Sequence, residues 1–192
     1  MQVGGIYMII GICGKSGSGK STLAKQIIAL SNHQAVHLEI DKVGHHVLLL
    51  PEVKEELIRA FGEEVVSGDK VDRKKLGNIV FDSRDEMNEL TRITWKYMKM
   101  EIDAFLKENQ DKMVILDWIL LPESHYFDMC DVTILLDIPY EVRLQRAMKR
   151  DGITEDAFAL REKASISYDK SRFDYVLEKN EQFDYKRMVK VS

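Results

Sequence analysis

The feature that most restricts this chain is a glycine-rich stretch close to its start. Gly14-Lys15-Ser16-Gly17-Ser18-Gly19-Lys20-Ser21-Thr22 fits the pattern G-x-x-x-x-G-K-[ST]. Its flanks are those the pattern requires: an Ile-rich apolar run, Ile6 to Cys13, precedes it, and Leu23 to Leu30 carry helical spacing after it. Glycines let the backbone curl so that successive N–H groups point inward. With the N-terminus of the following helix they form a concave anion site. The stretch therefore demands a strand, a tight loop and a helix, with Gly14 through Thr22 wrapped around a nucleotide's phosphates. Lys20 can reach the β- and γ-phosphates and is expected to be exposed in the empty loop; Ser21 offers a hydroxyl to Mg2+. The pattern leaves the Lys15 position free, so that side chain either adds charge near the phosphates or faces solvent. The bland alternative is a Gly/Ser-rich turn with no ligand, which the spacing and both flanks disfavour.

Beyond the loop the chain alternates. Ala35 to Ile40, Met113 to Leu116 and Val132 to Leu136 are short apolar runs, the last two closed by Asp117 and Asp137, and Tyr175 to Leu177 is a weaker one. Helical patterns lie between them. Short buried strands alternating with helices predict a parallel sheet covered on both faces. The long interval between the second and third runs holds only Pro51 as a breaker and no Gly/Ser-rich tract. Pro51 reads as the first turn of one helix. Ser83 and Glu86 read as the capping box of another, of about 24 residues, with Met87, Leu90, Thr94, Tyr97, Met98, Ile102 and Phe105 at helical spacing. Residues from about 43 to 109 therefore read as a helical insertion on an α/β core.

Composition narrows the function classes. With 192 residues, 45% of them hydrophobic and 31% charged, the chain is a globular domain rather than a disordered one. Its 28 Lys+Arg against 32 Asp+Glu, a net charge of −4, argue against a dedicated nucleic-acid binder. No apolar run is long enough to span a membrane. The opening residues lack the basic region and cleavage site of a signal peptide. Cys13 and Cys130 form no metal-ligand spacing, so a reducing, cytoplasmic setting is expected.

Within the phosphate-loop proteins, no guanine-reading [NT]-K-x-D is present, Asp41-Lys42-Val43-Gly44 matches D-x-x-G only loosely, and no transporter-type signature occurs. A small phosphotransferase remains. Such an enzyme must keep water from the γ-phosphate and bring extra positive charge to the transition state. Arg143, Arg146 and Arg150 fall within about 60° of one another on a helix. Asp151-Gly152 interrupts the pattern and Thr154 opens another helix, so residues from 143 to about 164 read as a lid; the plain alternative is a solvated basic face. The acceptor hydroxyl needs a base or an orienting carboxylate, placed at the end of a strand beside the loop's own. Glu39, Asp41 and Asp117 are the candidates, and Asp117, closing Met-Val-Ile-Leu-Asp, also has the setting of a metal-binding carboxylate.

These residues together resemble the dephospho-coenzyme A kinase family from about Ile9 to Asn180. The family's G-G-I-G-S-G-K-S is similar to Gly14 to Ser21, and its D-A-D-x-I-A-[RH] to Glu39-Ile40-Asp41-Lys42-Val43-Gly44-His45. Further matches are Phe61-Gly62, Asp72-Arg73-Lys74-Lys75-Leu76, Val80-Phe81, Asp117 to Glu123, Arg146 to Gly152, and Asp174-Tyr175-Val176-Leu177. The chain departs from the family where His-Pro gives way to Trp95-Lys96, where the first acid is Glu39, and where Ile119 replaces a proline. Trp95 there either closes the acceptor pocket, offers a new stacking surface, or is plain core, as Trp at helical spacing more often is. The resemblance implies a three-layer P-loop kinase fold with about five parallel strands in the order 2-3-1-4-5, an acceptor-binding part over about 43–109 and a lid over about 143–164. It implies ATP and Mg2+ as cofactors and the ribose 3′-hydroxyl of dephospho-coenzyme A as acceptor. Lys20 would hold the phosphates, Ser21 and Asp117 the metal, and Asp41 the acceptor hydroxyl, with Arg146 and Arg150 stabilising transition-state charge. A kinase for another small acceptor, such as a nucleoside monophosphate, and a nucleotide-binding protein without turnover are the alternatives. The sequence assigns no oligomeric state.

Overall fold

The computed structural model describes residues 7–32, 34–80, 83–163 and 165–178. Ile6, Phe81, Ala164 and Asn180, which enter the expectations above, lie outside the described residues. Contacts divide the chain into two compact units, Met1–Glu39 with Asn109–Ser192, and Ile40–Glu108. β1 (Met8–Cys13), α1 (Lys20–Leu30) and β2 (Ala35–Glu39) open the first unit. The second supplies α2 (Ile40–Val47), α3 (Pro51–Phe61), β3 (Val66–Ser67), β4 (Lys70–Val71), α4 (Arg73–Val80) and α5 (Arg84–Glu108). The chain returns to the first unit for β5 (Met113–Asp117), α6 (His125–Asp128), β6 (Val132–Leu136), α7 (Tyr140–Asp151), α8 (Glu155–Lys163) and β7 (Tyr175–Leu177).

The first unit is built on a five-stranded sheet in the order β2-β5-β1-β6-β7, parallel throughout. Counting only its own strands, that is the 2-3-1-4-5 order the resemblance implies. β1, β5 and β6 run as Met-Ile-Ile-Gly-Ile-Cys, Met-Val-Ile-Leu-Asp and Val-Thr-Ile-Leu-Leu, and nearly every residue in them is buried. Successive strand residues point to opposite faces, so unbroken burial means that both faces are covered. On one face Leu23, Ala24 and Ile27 of α1 pack on Ile10, Ile12, Ile115 and Ile134. Full burial of one such side chain contributes about 1.5–3 kcal/mol. Carboxylates pin the strand starts: Asp131 accepts from the Ile9 N–H at 2.7 Å, and Asp174 accepts from the N–H and hydroxyl of Thr133 at 2.7 and 2.8 Å. Asp174 of the Asp-Tyr-Val-Leu match thus has a structural duty, joining β7 to β6.

The register positions the site. Asp117 lies opposite Ile12 on one side and Glu39 on the other, so two carboxylates stand in one rank at the strand ends, beside the start of the glycine-rich loop. That crevice at the carboxyl ends of the strands, where β5 and β6 flank β1, is where open parallel sheets bind ligands.

In the second unit Pro51 occupies the first turn of α3, and Ser83 accepts from the Glu86 N–H at 3.3 Å to cap α5. The second extended run is shorter than its apolar pattern: β2 stops at Glu39, and Ile40 begins α2. The α5 face that is fully buried runs through Ile93, Met98, Ile102 and Leu106, while Met87, Leu90, Thr94, Trp95, Tyr97 and Phe105 are only half-buried. The β3–β4 hairpin is unanticipated; its signal is Gly68-Asp69, a two-residue turn with Gly68 at φ 60°. Asp72 caps α4, accepting from the N–H groups of Lys74 and Lys75 at 3.0 and 3.1 Å and from the Ser67 hydroxyl at 2.9 Å. These bonds hold its carboxyl below the usual carboxylate range, the Lys75 amide first among them.

Candidate active site

The loop from Gly14 to Gly19 is shaped by backbone no other residue takes comfortably. Gly17 has φ 79°, and a Cβ there would stand 2.5 Å from the Arg143 carbonyl oxygen. Gly14 has φ 147°, and its Cβ would meet Ser18 Oγ at 2.6 Å and the Leu136 carbonyl oxygen at 2.9 Å. The chain then enters α1 at Lys20 through Gly19 in the left-handed region, with no side chain capping the helix. Thr22 N–H turns back to the Gly19 carbonyl at 3.0 Å, and no side chain competes with a ligand for the helix N-terminus. Ser18 Oγ is buried with no hydrogen-bond partner.

Lys20 is not the exposed side chain the sequence predicts. It is 13% exposed, with Nζ 3.8 Å from Asp117 Oδ1. The reason is Asp117, whose carboxylate is nearly fully buried at the end of β5 and draws in the nearest cation. The Ser21 hydroxyl donates to Asp117 Oδ2 at 3.2 Å and approaches Glu39 Oε2 at 3.5 Å. His37, two residues before Glu39 on β2, brings Nε2 to 3.3 Å from Asp117 Oδ2. So Lys20, Ser21, Glu39 and Asp117 come together, and His37 joins them. Strand alternation puts His37 on the face of Glu39, which is the signal that could have found it. A serine hydroxyl and two carboxylates are hard oxygen donors and fit Mg2+, which is held by one or two carboxylates together with substrate phosphates. Among the described residues no group of three or more His, Cys, Asp and Glu side chains could hold a metal by itself.

The three arginines of α7 have separate duties. Arg143 is 4% exposed and donates to the Ile138 carbonyl at 2.9 Å and the Ser16 carbonyl at 3.3 Å. Buried where the stretch read as a lid begins, it braces the loop. Arg146 donates to the Ser18 carbonyl at 3.1 Å. Arg150, largely exposed, pairs with Asp151 at 2.7 and 2.8 Å. Gly152 ends α7 in the left-handed region, and the Thr154 hydroxyl accepts from Ala157 N–H at the start of α8. Phe158 packs under Tyr140 and seals α8 against α7.

Glu162 of α8, which the sequence reading did not single out, ties these parts together. It accepts from Lys15 Nζ at 2.6 Å and from Arg143 at 2.8 and 3.1 Å. Lys15, 28% exposed, is thus held by a carboxylate distant in sequence. Arg143 first, then Lys15, hold the Glu162 carboxyl below its ordinary value of 4.5. The unfolded chain then binds the extra proton, so this pair's stabilisation is complete above that ordinary value and is lost as pH falls through the lower folded one. Melting curves of wild type and Glu162→Gln should differ near neutrality, and the gap should close as pH drops below about 4.5. A gap that persists in acid would refute the ion pair's part in stability. Beside Lys15 lies an open cavity of about 400 Å³, lined by Ile138, Tyr140, Arg143, Tyr168 and Glu178 among others.

In the second unit Asp41 stands in the exposed first turn of α2. One turn on, His45 Nε2 accepts from Arg73 at 2.9 Å. Burial, then the Arg73 charge, lower the His45 pKa, and Asp41 opposes them. His45 is thus held as the neutral ring, by an arginine that belongs to the Asp72-Arg73 match. Neither cysteine is a nucleophile: burial pushes the thiols of Cys13 and Cys130 well above their ordinary values. Among the described residues no helix is long and apolar enough to cross a membrane.

Comparison with known proteins agrees with this geometry. The Dephospho-CoA kinase family model matches residues 8–184. The dephospho-CoA kinase of Aquifex aeolicus is 33% identical over 189 residues, covering 95% of this chain and 94% of its own. That of Fusobacterium nucleatum is 30% identical over 180 residues, covering 92% of each. Among solved structures, TT1252 from Thermus thermophilus superimposes with a TM-score of 0.79 at 29% identity, over 95% of this chain and 94% of that one. A dephospho-CoA kinase from Campylobacter jejuni, 21% identical, shares the fold with a TM-score of 0.53 over 94% and 92% of the two chains. A match that runs from β1 past β7, with the glycine-rich loop and the strand-end carboxylates inside it, leaves one assignment: the chain belongs to the dephospho-CoA kinase family.

Proposed function

We propose that the protein transfers the γ-phosphoryl group of Mg·ATP to the ribose 3′-hydroxyl of dephospho-CoA, giving CoA and ADP. The observation that carries this reading is the convergence of Lys20, Ser21 and Glu39 on buried Asp117 beside an uncapped helix N-terminus, in a chain of this family. The loop amides from Gly14 to Thr22 bind the phosphates and Lys20 neutralises the β/γ bridge. Ser21 and Asp117 hold Mg2+, with Glu39 beside them; when bound, the ion draws charge from the phosphoryl oxygens. Asp41 accepts the proton of the 3′-hydroxyl as its oxygen bonds to the γ-phosphorus and the bond to the β-bridging oxygen breaks. Arg146 and Arg150 meet the charge that develops, Arg150 after leaving Asp151. Residues from about 43 to 109 receive the acceptor, those from about 143 to 164 close as a lid, and the cavity beside Lys15 takes part of the nucleotide. Two cysteines that are both free suit a cytoplasmic setting.

The test is turnover of the purified chain with Mg·ATP and dephospho-CoA, run beside nucleoside monophosphates. CoA and ADP should appear in equal amounts, with the monophosphates inert. Consumption of a monophosphate but not of dephospho-CoA would move the acceptor, with Trp95-Lys96 as the first place to look for the cause. Tight Mg·ATP binding without transfer to any acceptor would make the chain a nucleotide-binding protein.

A further inference from the structure

His37 is the one member of the Asp117 cluster that the proposed mechanism leaves without a duty. Its side chain is 11% exposed, on a strand where a β-branched or apolar residue would pack without penalty. Its Nε2 is buried and makes no aligned hydrogen bond, though Asp117 Oδ2 lies only 3.3 Å away. A buried polar atom left in that state is rare enough to need a reason. Asp117 Oδ2 is also the atom to which the Ser21 hydroxyl donates at 3.2 Å, while Lys20 faces the other oxygen, Oδ1, at 3.8 Å. The carboxylate is thus divided: one oxygen toward the lysine, the other shared by serine and histidine. Asp117 is nearly fully buried, so water cannot steady it in place of these neighbours.

We propose that His37 is a positioning residue for the cation site: its Nε2–H, 3.3 Å from Asp117 Oδ2, turns onto that oxygen when the divalent cation that accompanies ATP is bound, and through Asp117 it sets how the Ser21 hydroxyl and the carboxylate meet that cation. This rests on the kinase reading above. The physical case is that of an outer partner that fixes a ligating carboxylate, and loss of such partners weakens metal affinity by about 10–100-fold. His37 touches neither phosphate nor acceptor in this role; it acts through one oxygen atom of another residue.

The experiment measures nucleotide affinity, not turnover. The full chain is titrated with a non-hydrolysable ATP analogue at a series of Mg2+ concentrations and in EDTA. The variants are His37→Leu, which keeps bulk without a donor, and His37→Gln, whose amide N–H can reach the Nε2 position. His37→Leu should raise the Mg2+ concentration for half-maximal tightening by about 10-fold, with affinity in EDTA within 2-fold of wild type. His37→Gln should recover most of that loss. In an Asp117→Asn background, His37→Leu should add nothing further. An unchanged Mg2+ requirement in His37→Leu, or an equal loss in EDTA, overturns the proposal. If His37→Leu does not fold, His37→Gln is compared with His37→Asn, whose shorter amide falls short of Asp117; equal Mg2+ requirements in those two overturn it as well. A wild-type chain that binds no nucleotide at all would instead strike the kinase reading, so the two failures are distinct.

Discussion

Lys20→Ala should lower kcat for CoA formation by on the order of 10³-fold, the scale of losing one preorganised charge from a transition state of this kind. The lysine is the cation that the loop itself carries beside buried Asp117, and Arg143, paired with Glu162, does not take its place. The fold should survive. Lys20 is 13% exposed and its stem is not part of the apolar cluster between β1 and α1, so little packing is lost. Asp117 loses its cation at 3.8 Å but keeps Ser21 and His37, and a fall in Tm of a few degrees is the expected measure of that loss. Steady-state turnover and thermal melting of the same preparation check both halves. Wild-type-like turnover would overturn the reading of the loop as a phosphate site that works in catalysis.

Asp41→Asn should cut transfer to dephospho-CoA by roughly 10²-fold, the usual scale for a lost general base, while Mg·ATP affinity stays within a few-fold of wild type. The asparagine keeps the shape and can still hydrogen-bond, but it cannot take the proton of the attacking hydroxyl. Asp41 is exposed, in the first turn of α2, so part of the structural cost is a favourable charge near a helix N-terminus, about 0.3–1 kcal/mol. Pre-steady-state transfer and equilibrium binding of Mg·ATP separate the two effects. If Mg·ATP binding weakens as much as transfer does, Asp41 serves the metal and the base must be sought elsewhere. If transfer is unchanged, the base assignment fails while the family assignment stands.

Local chemistry made much of this readable in advance. The strand–loop–helix from Met8 to Leu30 follows from glycines in a fixed pattern between an Ile-rich run and a helical one. The parallel sheet follows from strands too apolar to face water, and Pro51, Ser83 and Thr154 announced their helix starts through backbone groups they cap or cannot donate. Where periodicity misled, a competing term explains it. Ile40 is apolar enough to extend β2, yet it is fully buried as the first residue of a helix, because apolar residues serve strand and helix alike. On α5 the buried stripe runs through Ile93 and Leu106 rather than Met87 and Phe105, since a pattern of spacing fixes a helix but not which side another helix will cover.

What the sequence by itself determined was therefore the identity of the anion site and the order of the elements that frame it. Those depend on neighbours within one turn or one strand, and on family motifs that stay contiguous in the chain. What only the tertiary structure decided was the partner of each charge. Lys20 turned inward because Asp117, remote in sequence, is buried beside it. Lys15 of the loop and Arg143 of α7 meet on Glu162 of α8, and Arg143 also braces the Ser16 carbonyl, a contact that helix angles alone do not give. His37 gained its place from a cross-strand approach to Asp117. A charge takes the nearest opposite charge in space, and desolvation makes that choice binding where the pair is buried. No spacing rule along the chain encodes that distance; only the packed sheet and helices do.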